Sequence, residues 1–355
     1  MFPTKKRVGM YIHLPFCRRR CFYCHFVTYP NQAGLIEPYV SAVITELRLR
    51  ARDNYLIDTI YLGGGSPSLM PPDAVGRILT AVRRHYVTVT NPEVTLELNP
   101  EDACGESLKQ LRALGVNRLS IGVQSFCPED LKYLGRTHGA EDSMRALRAA
   151  LNADFKNLSV DFIIGLPTQT RDSLEHNFQV LSEYKIPHVS CYLLEGVTDS
   201  GVDDAQDADH YFHSRSVLLA GGYHHYEVSN YCLEGWRCEH NLKYWLNQEY
   251  LGIGVSASGF IKNNDYKNNT SLDSYCRILS QNRLPAEDQQ LSRPSIRGLM
   301  MGLRLLDGIP LSEFVGHEDT TRLLLDEGIF VRSGNSLAVH PEKLLVLNEI
   351  LTRFL

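Results

Sequence analysis

The sequence predicts an α/β fold built on parallel strands and followed by a small carboxyl-terminal domain. Two observations carry this. Six times in succession a short apolar run is followed by a segment of helical period, and after about residue 225 that rhythm stops. Strands of a parallel sheet, covered by helices on both faces, read as nearly continuous apolar runs rather than alternating ones. Strands interleaved with helices in this way connect into parallel β/α units. The period alone leaves open a doubly wound sheet or a barrel, complete or partial.

In order, VGMYIHL precedes the helical PYVSAVITELRLRAR, TIYL precedes DAVGRILTAVRRHY, and VTLELN precedes ESLKQLRALG. The next three pairs are NRLSIGV with AEDSMRALRAAL, NLSVDFIIGL with DSLEHNFQVLSEY, and HVSCYLL with AQDADHYFHSRSVLLAGG. YEVSNY, HNLKYW and YLGIGVSASGF then bring aromatics, Gly and Asn, and the polar, Asn-rich KNNDYKNNTS reads as a low-complexity run. From about residue 290 the pattern predicts a helix, a β-hairpin turning at SGNS and a closing helix, a helical or winged-helix-like arrangement. The expected division is a core over 1–225, an extension over 226–285 and a terminal domain over 286–355.

Composition narrows the class. With 355 residues, 43% hydrophobic and 22% charged, the chain has apolar mass for a large core plus a smaller one. A net charge of −5 gives no basic surface for nucleic acid. No apolar window is long enough to cross a bilayer, and no cleavage pattern follows the basic first residues. A cytoplasmic protein is expected. Peripheral contact with a membrane stays open, although no amphipathic anchor carries it. The nine cysteines, odd in number and unevenly spread, fit a reducing compartment better than a disulfide framework.

Three of those cysteines, Cys17, Cys21 and Cys24, form a C-x3-C-x2-C frame in the loop after the first strand. In parallel β/α folds that loop lies at the carboxyl edge of the strands, where sites are built. Unconnected cysteines, a Cys3His zinc site using His25, and an iron–sulfur cluster are the three readings. His25 directly follows Cys24, and adjacent residues rarely both turn onto one small ion. Three thiolates on a four-iron cluster leave one iron open for reaction. GGGSP, residues 63 to 67, permits close backbone approach but also serves as a plain tight turn.

The cysteine frame, with Tyr23 just before its last cysteine, resembles the cluster motif of the radical S-adenosylmethionine superfamily. That resemblance implies a partial (β/α)6 barrel and a 4Fe-4S cluster whose open iron chelates S-adenosylmethionine, the reduced cluster cleaving the sulfonium to a 5′-deoxyadenosyl radical. Gly64, Gly65 and Ser66 resemble the family's GGGTP segment, which contacts the methionyl amine, with Ser66 in place of Thr. Tyr11, Glu97, Gln124, Arg136 and Asp161 match S-adenosylmethionine contacts in the oxygen-independent coproporphyrinogen oxidase branch. Read singly, strand-end carboxylates are caps or turn residues.

Within that branch the chain resembles both the oxidase and the HemW-type heme chaperones. Phe26 stands where the oxidase carries a further cysteine. Only ten residues precede Tyr11, where the oxidase has a long extension. HNLKYW, residues 240 to 245, resembles the chaperones' heme-binding motif. It implies heme bound non-covalently by His240, with Tyr244 and Trp245 along the porphyrin, and its transfer to acceptor proteins. An imidazole ligates heme iron and flat aromatics line porphyrins, but a His before Asn in a loop is also an ordinary cap. Cys238 is a second candidate iron ligand. The resemblance further implies an electron donor for the cluster, and it leaves open whether S-adenosylmethionine is cleaved. Coproporphyrinogen oxidase, or another radical enzyme on a tetrapyrrole-like substrate, is the alternative. A shortened segment over residues 195–212 bears on turnover more than on cluster binding.

Overall fold

The computed structural model describes residues 5–52, 54–194, 204–291 and 294–355, and residues 195–203 of the shortened segment lie outside them. The described residues fall into two compact units, one of residues 5–162 and 249–291, the other of 163–194, 204–248 and 294–355.

In the first unit, β1 (Lys6–Leu14) buries Val8, Met10, Ile12 and Leu14 completely on one face. This period of two turns Tyr11 and His13 to the other face. β1 runs parallel to β2 (Tyr55–Gly64), with Tyr11 opposite Tyr61. The ladder continues in chain order through β3 (Val87–Leu98), β4 (Arg118–Gln124) and β5 (Asn157–Ile164), all parallel. Each crossover carries a helix: α1 (Ile36–Arg50), α2 (Pro72–His85), α3 (Gly105–Ala113), then α4 (Pro128–Tyr133) with α5 (Ala140–Asn152). α2 shows why these segments are helices on a sheet. Ala74, Val75, Ile78, Leu79 and Val82 make one buried stripe, with Asp73 in the first turn and Arg83, Arg84 and His85 in the last, complementing the dipole.

The other edge of β1 is covered from far down the chain. β9 (Tyr250–Ile253) lies parallel to β1, and β10 (Ser258–Ile261), β11 (Asn264–Asn268) and β12 (Ala286–Leu291) follow antiparallel. Asn264–Asn268, the middle of the Asn-rich run, is therefore a paired strand. Asn268 is fully buried and donates to Glu46 Oε1 and to the Gly254 carbonyl, both at 2.8 Å. The buried Glu46 also accepts from Arg50, from the Gly254 amide and from Tyr275 of α9 (Leu272–Ser280), so its charge is paired and its lone pairs are used.

The second unit holds α6 (Arg171–Tyr184), β6 (His188–Leu193) and α7 (Asp204–Ala220). β6 pairs antiparallel with β8 (Asn230–Cys232), the partner of β7 (His224–Glu227), so YEVSNY is a hairpin. HNLKYW, taken from sequence as loop, lies on a short helix, α8 (Glu239–Trp245). Residues 294–355 hold α10 (Pro294–Gly302), α11 (Glu318–Asp326) and α12 (Leu347–Thr352). The predicted hairpin is present as β14 (Phe330–Ser333) and β15 (Ser336–Val339), and a short β13 (Ile309–Pro310) adds a third strand. Phe314, Phe330 and Phe354 pack together at its core. Residues 226–248 pack on this region: the Val228 amide donates to the Arg304 carbonyl, and the Leu306 amide to that of Tyr226. Among the described residues no helix is long and apolar enough to cross a membrane.

Candidate functional site

Adjacent parallel strands set a row of polar side chains across the first unit. The Tyr11 and Tyr61 rings lie 6.2 Å apart. Tyr61 donates to Glu97 Oε1 at 3.0 Å, and Glu97 faces Ser120 across the β3–β4 ladder. Ser120 donates to both oxygens of Asp161, which also accepts from Ser159. Burial pushes the Glu97 carboxyl up to about 7, with the Asp161 charge adding to the rise and bonds from the Gly64 amide and Tyr61 opposing it. His13, beneath Tyr11, is brought down to about 4 by burial. It is therefore neutral at pH 7, accepting from Tyr11 at Nδ1 and donating from Nε2 to the Val27 carbonyl.

The glycine run has a packing reason. A Cβ on Gly64, whose φ is +118°, would stand 2.4 Å from the His13 ring, and one on Gly65 would stand 2.5 Å from the Phe16 carbonyl. The strand end is thereby drawn against the first loop, where the Ser66 amide donates to the Phe16 carbonyl at 2.7 Å and the Gly64 amide to Glu97 at 2.8 Å.

That first loop carries the cysteines. Phe16–Cys17 pairs with Tyr29–Pro30, and the Cys24 amide closes a turn onto the Cys21 carbonyl. Tyr29 fastens the loop's far end by donating to the Thr270 carbonyl and accepting from the Leu272 amide. Burial pushes the Cys17 and Cys24 thiols up, and the negative charge of Cys21 adds to both. Three neighbouring thiolates that repel one another suit a polynuclear cation. Cysteine thiolates are the ligands that hold iron–sulfur clusters. The donor set thus fits a cluster. His25 is exposed, and so are Phe22 and Phe26.

Arg136 binds the rest together. Its guanidinium, mostly buried, donates to Cys21 Sγ at 3.6 Å, to Tyr23 Oη at 3.3 Å and to Asn99 Oδ1 at 2.7 Å. Asn99 in turn donates to Ser66 at 2.5 Å. Gln124, with a left-handed φ of 68°, folds its amide back over Gly122 beside Asn99. His138 Nδ1 lies 3.0 Å from Glu101 Oε2, and its Nε2 lies 3.0 Å from the Val123 carbonyl. Burial acts against the Glu101 charge, but the His138 bond and the Arg136 charge bring that carboxyl down to about 2. An open cleft lies among Arg18, Cys21, Ser66, Asn99, Glu101 and Arg136.

The fold therefore brings Tyr11, Glu97 and Asp161 into one row, and Tyr23, Ser66, Gln124 and Arg136 around Asn99. Sequence reasoning missed Asn99, Glu101, Tyr61 and His138. Two of them were within reach: Asn99 shares a strand period with Glu97, and Tyr61 falls two residues before the glycines.

His240, Tyr244 and Trp245 belong to the second unit. His240 is fully buried, and its Nε2 lies 2.8 Å from the Tyr244 hydroxyl. Trp245 carries the Arg304 guanidinium over its ring at 5.3 Å, and its buried indole N–H has no partner among the described residues. Cys238, also fully buried, caps α8 and donates its amide to Tyr226.

A sequence profile described as the radical SAM superfamily matches residues 11–181. A curated protein of Lactococcus lactis, heme chaperone HemW, is 33% identical over 324 residues, covering 87% of this chain and 85% of its own. The protein of the same name from Escherichia coli is 31% identical over 370 residues, covering 98% of each. Among solved structures, coproporphyrinogen III oxidase (HemN) from Escherichia coli superposes with a TM-score of 0.86 over 99% of this chain and 91% of that one. At 20% sequence identity this last likeness concerns the fold.

Proposed function

The chain belongs to the heme chaperone HemW family of the radical SAM superfamily, and from that premise we propose that it binds heme non-covalently through the α8 segment and hands it to acceptor proteins. The observation that carries the reading is the kinship over nearly the whole chain with HemW heme chaperones, joined to an α8 that presents a histidine, a tyrosine and a tryptophan in one short helix.

Cys17, Cys21 and Cys24 would hold a 4Fe-4S cluster, and S-adenosylmethionine would bind beside it. The pair, when bound, supplies one-electron chemistry. The chain's own residues do the positioning. Arg136 offers hydrogen bonds and positive charge on the thiolate side, Glu97 and Asp161 offer carboxylates to an amine or to ribose hydroxyls, and Tyr11, Gly64, Gly65, Ser66 and Gln124 shape the walls. The electron donor is a separate protein, and the site of action is the cytoplasm. His240 serves as the heme ligand once its imidazole is released from Tyr244.

Anaerobic reconstitution with iron and sulfide assay tests the cluster, and one zinc with no cluster would refute it. Heme titration of wild type against His240→Ala tests the ligand. An unchanged affinity and spectrum would remove His240 from the site. Turnover of coproporphyrinogen III by the reconstituted protein would overturn the chaperone reading in favour of the oxidase.

A further inference from the structure

We propose that Arg304, together with the indole N–H of Trp245, is the binding site for a propionate carboxylate of the heme cargo. The inference deepens the chaperone reading and rests on it.

Arg304 lies two residues after the end of α10, and its backbone is fixed by the bond from the Val228 amide. Its guanidinium is held over the Trp245 ring and donates to the carbonyl of Met300. Among the described residues no carboxylate lies within ion-pair distance of it. A nearby arginine shows the contrast: Arg237, whose guanidinium lies over the Tyr226 ring, has a partner in Asp307 at 2.6 Å. The acid that acts on Arg304 is Glu227, fully buried, bonded to Asn230 and without a direct contact to the guanidinium. Burial pushes the Glu227 carboxyl up to about 7, so it offers an incomplete counter-charge at neutral pH.

A second unmet donor lies alongside. Trp245 Nε1 is buried and has no acceptor among the described residues, which is costly for an indole unless a ligand supplies one. A half-buried guanidinium lacking a carboxylate and an indole N–H lacking an acceptor together describe a site for a carboxylate. Arginine is suited to it because its planar fork pairs with a carboxylate in two parallel bonds. Trp245 is five residues beyond His240 on α8, about 7.5 Å along the axis and about 140° around it. A heme ligated by His240 would therefore have to extend past the end of the helix to set an acid group against Trp245 and Arg304.

The test titrates the full chain with heme and with heme dimethyl ester, in which both carboxylates are blocked. Wild type is expected to prefer the free acid by about tenfold, the scale of one charge-assisted bond. Arg304→Gln should lose that preference while keeping its affinity for the ester, and Arg304→Lys should keep part of it. Should Arg304→Gln fold poorly, Trp245→Phe keeps the ring and removes only the N–H, and a reduced preference is expected there too. A variant that retains the full preference, or that weakens both ligands equally, overturns the proposal and leaves heme binding standing. Wild type that binds neither porphyrin overturns the chaperone reading itself, and this inference with it.

Discussion

The hydroxyl of Tyr244 lies 2.8 Å from Nε2 of His240, one turn further along the same helix, and holds a fully buried imidazole by the nitrogen a heme iron would take. The two rings meet edge to face at 5.2 Å. On the proposed reading the pair is a latch, since ligation of an iron through Nε2 requires this hydrogen bond to break. Tyr244→Phe keeps the ring and removes the hydroxyl. A hydrogen bond of this kind is worth about 1 kcal/mol, so the variant should bind heme about fivefold more tightly, read from the growth of the Soret band on titration. A fall in affinity would instead place the hydroxyl in contact with heme in the bound state.

Glu227 gives the fold a pH signature. The folded chain keeps its proton up to about 7, against an ordinary value of 4.5. Its contribution to stability is therefore fully present below about 4.5 and is lost as pH rises through about 7. Glu227→Gln retains an oxygen for the Asn230 bond and removes the charge. Denaturant midpoints from pH 4.5 to 8 should decline less in the variant, with the largest gain over wild type at the alkaline end. Parallel curves would show that Glu227 titrates normally.

Arg136 donates to Cys21 Sγ and sets positive charge beside the thiolates. Hydrogen bonds to sulfur and local charge both set cluster potentials. Arg136→Met should retain iron but shift the reduction potential to more negative values, measured by anaerobic redox titration. An unchanged potential would limit Arg136 to positioning Asn99 and Tyr23.

Asn268 satisfies two acceptors inside the first unit, Glu46 and the Gly254 carbonyl. Asn268→Ala leaves both short of a donor and should lower stability by about 2–3 kcal/mol, visible as a drop in the thermal midpoint. A neutral effect would mean that Arg50 and Tyr275 alone compensate Glu46.

The five parallel strands of the first unit were legible because each is a continuous apolar run with its own amphipathic crossover helix. β9 to β12 were not, since β9 to β11 are interspersed with Gly, Asn and Tyr and β12 reads AEDQQL, types that read as loop until a partner strand is known. Asn268 shows the reason: its burial is made tolerable by Glu46, a residue far away in sequence. α8 was missed because two helical turns leave too few residues to reveal a period, and its start at Cys238 lacks a side-chain cap. α4 was missed for the same shortness, although Pro128 at its first position and the acids after it are a start signal. At the site, the cysteine spacing was local and readable. Asn99, Glu101 and His138 acquire meaning only when Arg136 is placed among them.

The covering of β1 by β9, and the fastening of Tyr29 by residues 270–272, set an order of events during synthesis. The strand that carries the cysteine loop leaves the ribosome among the first, yet its second neighbour and the anchor of its loop are among the later segments of the first unit to be made. Until then β1 presents an open edge, of the kind that invites pairing with other chains. The cluster site is thus tied to the synthesis of residues 249–272: a nascent chain cut short before β9 has the three cysteines but neither a covered β1 edge nor a fixed loop to hold them. Iron and sulfide are best received once residues 249–272 have been made, and fragments ending before Glu249 should accumulate as aggregates rather than as a minimal cluster domain.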